Sequence, residues 1–196
     1  MILKKECYND ERAIKKGNSL MLKKVIKEAF PTVLAFTMSG MYSIVDGIFV
    51  GKAAGDTGLA AINIAWPIPA LITALGIGIG TGGSVLYSHY RGRGEQKVCE
   101  NLFELTMTLL IGTGILATIL LSLVQKPFLE ILGAAGSVQT EAIKYTAIII
   151  AGSILQVAGT GIMPLLRNMN QSLGAMLSMA AGFAVNILVN YYLMFD

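Results

Sequence analysis

Long uncharged tracts are the feature that most restricts what this chain can fold into. A membrane-spanning helix needs about 20 apolar residues. Lipid offers no hydrogen-bond partner to an exposed backbone, so a spanning tract must be helical. Five tracts are long enough, and the helices they predict lie at about 29–50, 57–88, 103–125, 142–166 and 170–195. We therefore expect an all-α fold, a polytopic membrane helix bundle over 29–196.

The composition agrees with this interpretation. Hydrophobic residues make up 54% of the 196 residues and charged residues 14%, whereas a typical soluble domain is about 25% charged. There are too few charges to cover a soluble domain of this size. The second and fifth tracts exceed one membrane crossing, which predicts helices that are tilted, bent or extended into the interface.

Lysine and arginine predict the orientation. Residues 1–28 form a basic tail that lacks the short apolar core of a signal peptide. With this tail in the cytoplasm, twelve of the fifteen Lys and Arg residues lie inside and three outside. The three outside are Lys52, Lys126 and Lys144. This asymmetry follows the positive-inside rule and predicts a multi-pass cell-membrane protein with a cytoplasmic N-terminus.

Several function classes find no support in the sequence. The glycines of 76–83 lie inside a span with no strand before them and no Walker lysine, which argues against nucleotide binding. Cys7, Cys99 and His89 are too few and too scattered for a metal site. No nucleophile–base set is evident. We expect no enzyme activity, no metal, no cofactor and no nucleic-acid partner.

The same glycines are spaced for helix packing. Gly76 and Gly80 have the GxxxG spacing, and so do Gly78 and Gly82. Small residues at this spacing let two membrane helices approach closely. The alternative is a flexible point at which the helix bends when the protein changes conformation. Both interpretations stand at the level of sequence.

Asp46 is the acid or base that lies well inside an uncharged tract. A carboxylate in a bilayer is costly, so such residues tend to face a polar cavity and bind or relay cations. Ser39, Tyr42 and Ser43 precede it at helical spacing and add hydroxyls to roughly the same face. These oxygens suit a proton or a hard cation such as Na⁺. An interfacial aspartate that reaches water or caps the following turn is the alternative.

Polar residues also occur in the fourth and fifth spans. Asn186 and Asn190 lie one turn apart on the fifth. Asn in lipid needs a partner, so this face should point into the bundle, either for interhelical hydrogen bonds or for a site. The fourth span carries Tyr145, Gln156 and Thr160, with the last two one turn apart.

Prolines predict where spans deviate from a straight helix. Pro31 and Pro164 lie within or at the edge of the first and fourth spans, and Pro67 and Pro69 lie early in the second. Each removes a backbone donor and frees a carbonyl. We expect bends near these positions.

Five motifs follow one another through nearly the whole chain from Pro31 onward. They are Met41–Gly51, Gly58–Asn63, Gly76–Ser88, Leu165–Asn168 and Asn186–Phe195. In this order they resemble the multidrug and toxic compound extrusion (MATE) family. The resemblance implies a secondary active exporter that exchanges H⁺ or Na⁺ for drugs or organic cations. It implies twelve helices in two halves around a cleft, of which this chain would supply the first five, with a C-terminal half missing.

The resemblance also implies roles for single residues. Asp46 matches the family's acid on the first helix, and Pro31 matches the proline at which that helix bends. The positions that match polar cavity residues are Tyr145, Thr160 and Asn186. Asn190 departs from the family pattern, because many relatives have a second Asp there. Asn does not titrate, which puts a two-carboxylate proton site in question.

Two other functions remain open. A lipid-linked oligosaccharide flippase of the same superfamily would carry an anionic substrate and favour basic residues in the cavity, whereas these spans have no deep Lys or Arg. The second open alternative is a membrane fragment that inserts into the bilayer but transports nothing.

Overall fold

The computed structural model describes residues 23, 25–27, 29–38, 40–41, 51–52, 55–169 and 171–195. Asp46 lies outside these residues. Every regular element in the described residues is an α-helix, which confirms the all-α prediction. We label the helical stretch 29–38 as α1; residues 25–27 and 40–41 on either side of it are helical as well. The other helices are α2 (Pro67–Gly92), α3 (Gln96–Ile131), α4 (Gly136–Ala151), α5 (Ser153–Asn168) and α6 (Ser172–Phe195).

Three of the predicted spans find counterparts among helices long and apolar enough to cross a membrane. Gly55–Gly92, which includes α2, and α3 each qualify alone. The pair α4 and α5 qualifies together as one bent span. The helix α6 runs from Ser172 to Phe195, and Ser172–Val185 is an apolar helix within its described part. Much of the first predicted span lies outside the described residues. The total of five spans therefore stays a prediction.

The second span is interrupted locally at its paired prolines. Residues 55–65 are helical, Trp66 forms a turn, and Pro67 begins α2. Pro67 and Pro69 have no backbone N–H to donate. The amide of Ala70 still reaches the Trp66 carbonyl at 3.2 Å, so the apolar helix continues from Gly55 to Gly92 across the turn.

The fourth span bends at a glycine. We expected one helix over 142–166 with a bend near Pro164, but Pro164 lies inside α5 and the break comes at Gly152. There α4 and α5 meet at 59°. Gly152 has φ −85° and ψ 0°, away from the usual α-helical values near −63° and −42°. Apart from proline, glycine is the residue least able to hold a helix straight.

Short glycine turns join the long helices. Gly94 has φ +76° between α2 and α3, Gly133 has φ +91° between α3 and α4, and Gly136, the first residue of α4, has φ +58°. Side chains with a Cβ rarely adopt these angles. The turn at Gly94 is short, since α2 ends at Gly92 and α3 begins at Gln96.

The centre of the bundle is formed by α2, α3 and α5. The helix pair α2 and α5 makes the most extensive contact, and each of the two also packs on α3. A large apolar cluster lies here, with Ile72, Leu110, Ile150 and Val157 among its fully buried members. The sequence neighbours α4 and α5 touch little beyond their junction.

Candidate functional site

The predicted cation-coupling residues are only partly within the described structure. Asp46 lies outside it. Asn186 and Asn190 lie on the α6 backbone, and nothing further is described of their side chains. Pro31 lies in α1 and is half-buried. The assignment of Asp46, Asn186, Asn190 and Pro31 to one site therefore remains a prediction.

Thr160 and its neighbour Gln156 form a polar contact between α5 and α2. The Gln156 side-chain Nε2 donates to the Thr73 hydroxyl at 3.0 Å and approaches the Pro69 carbonyl at 3.5 Å. Thr160 donates its hydroxyl to the Gln156 backbone carbonyl at 2.8 Å. All three side chains are half-buried. The predicted pairing of Gln156 and Thr160 on one face is confirmed, and that face turns toward α2.

Small residues bring the same two helices together. Gly76 and Gly80 are buried, and a Cβ placed on Gly76 would meet the Thr160 hydroxyl and lie 2.6 Å from the Val157 carbonyl oxygen. A Cβ on Gly80 would collide with the backbone of Gly161. Gly76 and Gly80 are therefore packing positions, as the first interpretation of their spacing predicted.

The other glycine pair of α2 behaves differently. Gly78 and Gly82 are exposed, and a Cβ on either would meet nothing within 4 Å. These two glycines therefore take no part in close helix packing within the described residues.

Hydroxyl groups anchor the bend at Gly152 to α3. Ser153, the first residue of α5, is fully buried, and its Oγ lies 2.6 Å from Thr118 Oγ1. Both hydroxyls also reach the Gly114 carbonyl, Thr118 at 2.9 Å and Ser153 at 3.4 Å, so either of them can donate to the other. A Cβ on Gly114 would lie 2.8 Å from Ile154 Cα. The bend is thus held against one turn of α3 by a close backbone approach and by the hydrogen bond between Ser153 and Thr118.

Tyr145 lies before this bend, on α4. It is half-buried and packs against the large apolar cluster. The adjacent Thr146 is fully buried. Gln125 of α3 donates to the Thr146 hydroxyl at 2.6 Å and to the Ile143 carbonyl at 2.7 Å. Tyr145 on α4 and Thr160 on α5 therefore lie on opposite sides of the bend. The contacts of Thr160 described above are with α5 and α2.

A second polar group lies at the opposite end of α5. Asn168 donates to the Ser84 hydroxyl at 2.6 Å and to its carbonyl at 3.2 Å. The Arg167 guanidinium lies 4.9 Å from the centre of the Phe36 ring of α1 and reaches Met179 Sδ of α6 at 3.7 Å. Arg167 thus connects α1, α5 and α6 at the end predicted to be cytoplasmic.

The described interior is polar in places but uncharged. The stretches 67–88, 105–125 and 145–166 contain no Asp, Glu, Lys or Arg. Among the described residues there is no group of His, Cys, Asp and Glu able to hold a metal ion. Their hydroxyls and amides can accept and donate hydrogen bonds, but none of them changes charge near neutral pH.

Sequence reasoning found one partner of the main polar contact and missed the other. Thr73 has no polar neighbour one turn away that would single it out. Ser84, Thr118 and Gln125 were missed because a polar residue in a span does not by itself indicate which helix it meets. For Thr73, the available signal was its position shortly after Pro67 and Pro69, which mark the start of α2.

Comparisons with known proteins agree with this architecture. Residues 31–192 match the family model described as MatE. A MATE structure in complex with MaL6 is 25% identical with a TM-score of 0.81, and a MATE structure in the bent conformation is 25% identical with a TM-score of 0.78. A MOP superfamily transporter from Pyrococcus furiosus, whose binding pocket is described as reversed in polarity, is 24% identical with a TM-score of 0.76.

The coverage of these matches is unequal. Each of the three alignments covers 85% of this chain and 37% of the solved chain. The chain therefore spans little more than a third of the length of the structures it resembles. No curated protein sequence matches it significantly.

Proposed function

The chain belongs to the MatE family, and from this premise we propose that it is part of a secondary active exporter that exchanges H⁺ or Na⁺ for drugs or organic cations. The observation that carries the proposal is the family match over 31–192, a range that includes both Pro31 and Asp46. The family and the apolar helices support a membrane transporter with a small-molecule substrate. The direction of transport, the coupling ion and the substrate class belong to the proposal.

Asp46 is the proposed coupling residue. A carboxylate that alternates between charged and neutral forms changes its desolvation cost by several kcal/mol. This is enough to bias a helix that has two conformations of similar energy. Pro31 lies within α1 and leaves a helical carbonyl without its donor, so α1 is the element whose bend would respond to the charge on Asp46.

Tyr145, Thr160, Asn186 and Asn190 are the proposed polar lining of the cavity. Thr160 lies on α5, and α6, which carries both asparagines, packs against α5. Asn190 supplies amide oxygen rather than a second carboxylate. Because Asn does not titrate, the proposal assigns all charge change in this part of the protein to Asp46. The second bundle of a MATE-type cleft would come from helices beyond those of this chain.

The test is transport by the complete protein in proteoliposomes. Ethidium efflux is measured with a proton gradient alone, with a sodium gradient alone and with neither. We expect one gradient to drive efflux and Asp46→Asn to abolish the driven component. Glu141→Gln is the matched control, because Glu141 is an exposed acid on α4. Driven efflux at the wild-type rate in Asp46→Asn would refute the assigned role of Asp46.

The flippase alternative is not favoured. A flippase for an anionic lipid-linked sugar would need basic residues in its cavity, and the described stretches 67–88, 105–125 and 145–166 contain no Lys or Arg. Absence of ethidium efflux under both gradients, together with movement of a lipid-linked sugar in the same vesicles, would favour the flippase instead.

A further inference from the structure

Arg167, in the last turn of α5, contacts a side chain of α1. Its guanidinium carbon lies 4.9 Å from the centre of the Phe36 ring, within the distance of about 6 Å at which a cation–π attraction is significant. Its Nη2 donates to Met179 Sδ of α6 at 3.7 Å. Within the described part of the chain, Arg167 forms no ion pair. Among these residues, the Phe36 ring is therefore the main partner of its charge.

The end of α5 that carries Arg167 is firmly held in the bundle. The neighbouring Asn168 donates to the hydroxyl and to the carbonyl of Ser84 on α2, at 2.6 and 3.2 Å. Leu165, two residues before Arg167, is fully buried and clusters with buried side chains of α2 and α3. Arg167 thus extends from a fixed base toward α1. A change at its contact with Phe36 is therefore a movement of α1 rather than of α5.

The attachment of α1 to the bundle is weaker. Its large side chains Phe30, Val33 and Phe36 are 65%, 62% and 61% exposed, whereas the small side chain of Ala35 is buried at 1% exposure. Exposed side chains make few packing contacts with the rest of the protein. Alanine buries little apolar surface compared with a larger side chain. With so little packing to hold α1, the contact between Arg167 and Phe36 is a large part of what positions it.

This contact lies where it can control the direction of α1. Phe36 follows Pro31 by five residues and precedes Asp46 by ten. A helix bends readily at a proline, so a contact at Phe36 fixes the direction of the helix beyond Pro31. A guanidinium keeps its charge at every pH relevant to proteins. The contact therefore does not itself respond to protons, and a response to the coupling ion is left to Asp46.

We propose that Arg167 is a positioning residue that holds the part of α1 after Pro31 against α5 and α6, and that this contact is released when α1 changes its bend. This inference rests on the proposed function, in which the charge on Asp46 drives that change. An exposed cation–π pair changes the population of the detached helix by about two- to fivefold. A contact of this strength favours one conformation of α1 without preventing the other.

The test follows the detachment of α1 by alkylation of a buried thiol. In the complete protein with Cys7→Ser, the substitution Ala35→Cys places a reporter thiol at a buried position beside Phe36, and the buried Cys99 is the internal reference. Alkylation by N-ethylmaleimide at fixed pH in dodecyl maltoside is followed for each thiol by peptide mass spectrometry. The thiol at position 35 reacts when α1 detaches, whereas Cys99 reacts when α2, α3 and α5 separate.

Variants at the contact isolate the ring and the charge. Phe36→Leu and Arg167→Gln should each raise the alkylation rate at position 35, relative to that of Cys99, by about two- to fivefold. Phe36→Trp keeps an aromatic face at an exposed position and should retain the slow rate. Val33→Ala, at another exposed position of α1, is the matched control and should leave the ratio unchanged. Met38→Cys, at a half-buried position of α1, is a second reporter that adds no bulk.

An unchanged ratio in Phe36→Leu and Arg167→Gln would overturn the proposal, and so would an equal rise in both alkylation rates, which indicates general unfolding. Gradient-driven ethidium efflux should fall by a similar factor in Phe36→Leu and be retained in Phe36→Trp. Wild-type efflux in Phe36→Leu would remove the contact from the transport mechanism and also overturn the proposal. Driven efflux that persists in Asp46→Asn but falls in Phe36→Leu would refute the proposed role of Asp46 and support that of Arg167.

Discussion

Replacement of Gly80 by alanine should separate the two central helices. A Cβ on Gly80 would lie 2.6 Å from the carbonyl carbon of Gly161 and 2.7 Å from its Cα, and closer still to its carbonyl oxygen. The colliding atoms are backbone, so no side chain can rotate away. Overpacking typically costs about 1–3 kcal/mol, and a collision that forces helix axes apart belongs at the upper end. We expect Gly80→Ala to lower the free energy of unfolding by about 3 kcal/mol.

The control for this change lies two residues away on the same helix. Gly78→Ala introduces the same methyl group into open space, since nothing lies within 4 Å of the position that its Cβ would take. Alanine favours a helix over glycine by about 1 kcal/mol. Gly78→Ala should therefore be neutral or stabilise the protein by up to about that amount.

The buried thiol of Cys99 provides the assay. Cys99 is 1% exposed and lies beside Tyr87 and Leu165, where α2, α3 and α5 meet. In a Cys7→Ser background it is the remaining cysteine, so its rate of alkylation during SDS titration in mixed micelles reports the opening of this junction. Equal unfolding midpoints for Gly80→Ala and Gly78→Ala would refute the close approach of α2 and α5.

Two further predictions concern the polar contacts between helices. In the same SDS titration, a double-mutant cycle with Gln156→Leu and Thr73→Val should give a coupling energy of about 0.6 kcal/mol, the average for hydrogen bonds between membrane helices. A coupling energy near zero would contradict the hydrogen bond between Gln156 and Thr73. Ser153→Ala should lower the free energy of unfolding by about 1 kcal/mol, because it removes the hydroxyl that is hydrogen-bonded to Thr118 at the bend. Ser122→Ala, on the exposed side of α3, should change it little.

The fold class was predictable because lipid imposes simple rules on the chain. Length and lack of charge were enough to predict α-helices over 57–88 and 103–125, and the structure has helices in both ranges. The bend at Gly152 was not predicted. Pro164 carries the stronger local signal for a bend, yet it lies inside α5. The close approach of Gly114 to Ile154 involves a residue far from Gly152 in sequence, so local reasoning could not reveal it.

The candidate site was predictable only to the level of residue type. Gln156 and Thr160 were expected to share a face, and they do, because that relation follows from helical spacing alone. Their partner Thr73 lies far away in the chain, with a separation of 83 residues between Gln156 and Thr73. Helical periodicity orders residues around one helix but does not state which neighbouring helix a face will meet.

The choice of neighbours in this bundle follows from what lipid does not supply. Lipid tails are as apolar as leucine side chains, so burial of apolar surface gives little preference for one helix pair over another. Close backbone contact and hydrogen bonds must then decide which helices pair. Between α2 and α5, the close contact comes from Gly76, Gly80 and Gly161. The hydrogen bond comes from Gln156. Helices far apart in sequence therefore pack more closely than α4 and α5, which follow one another directly.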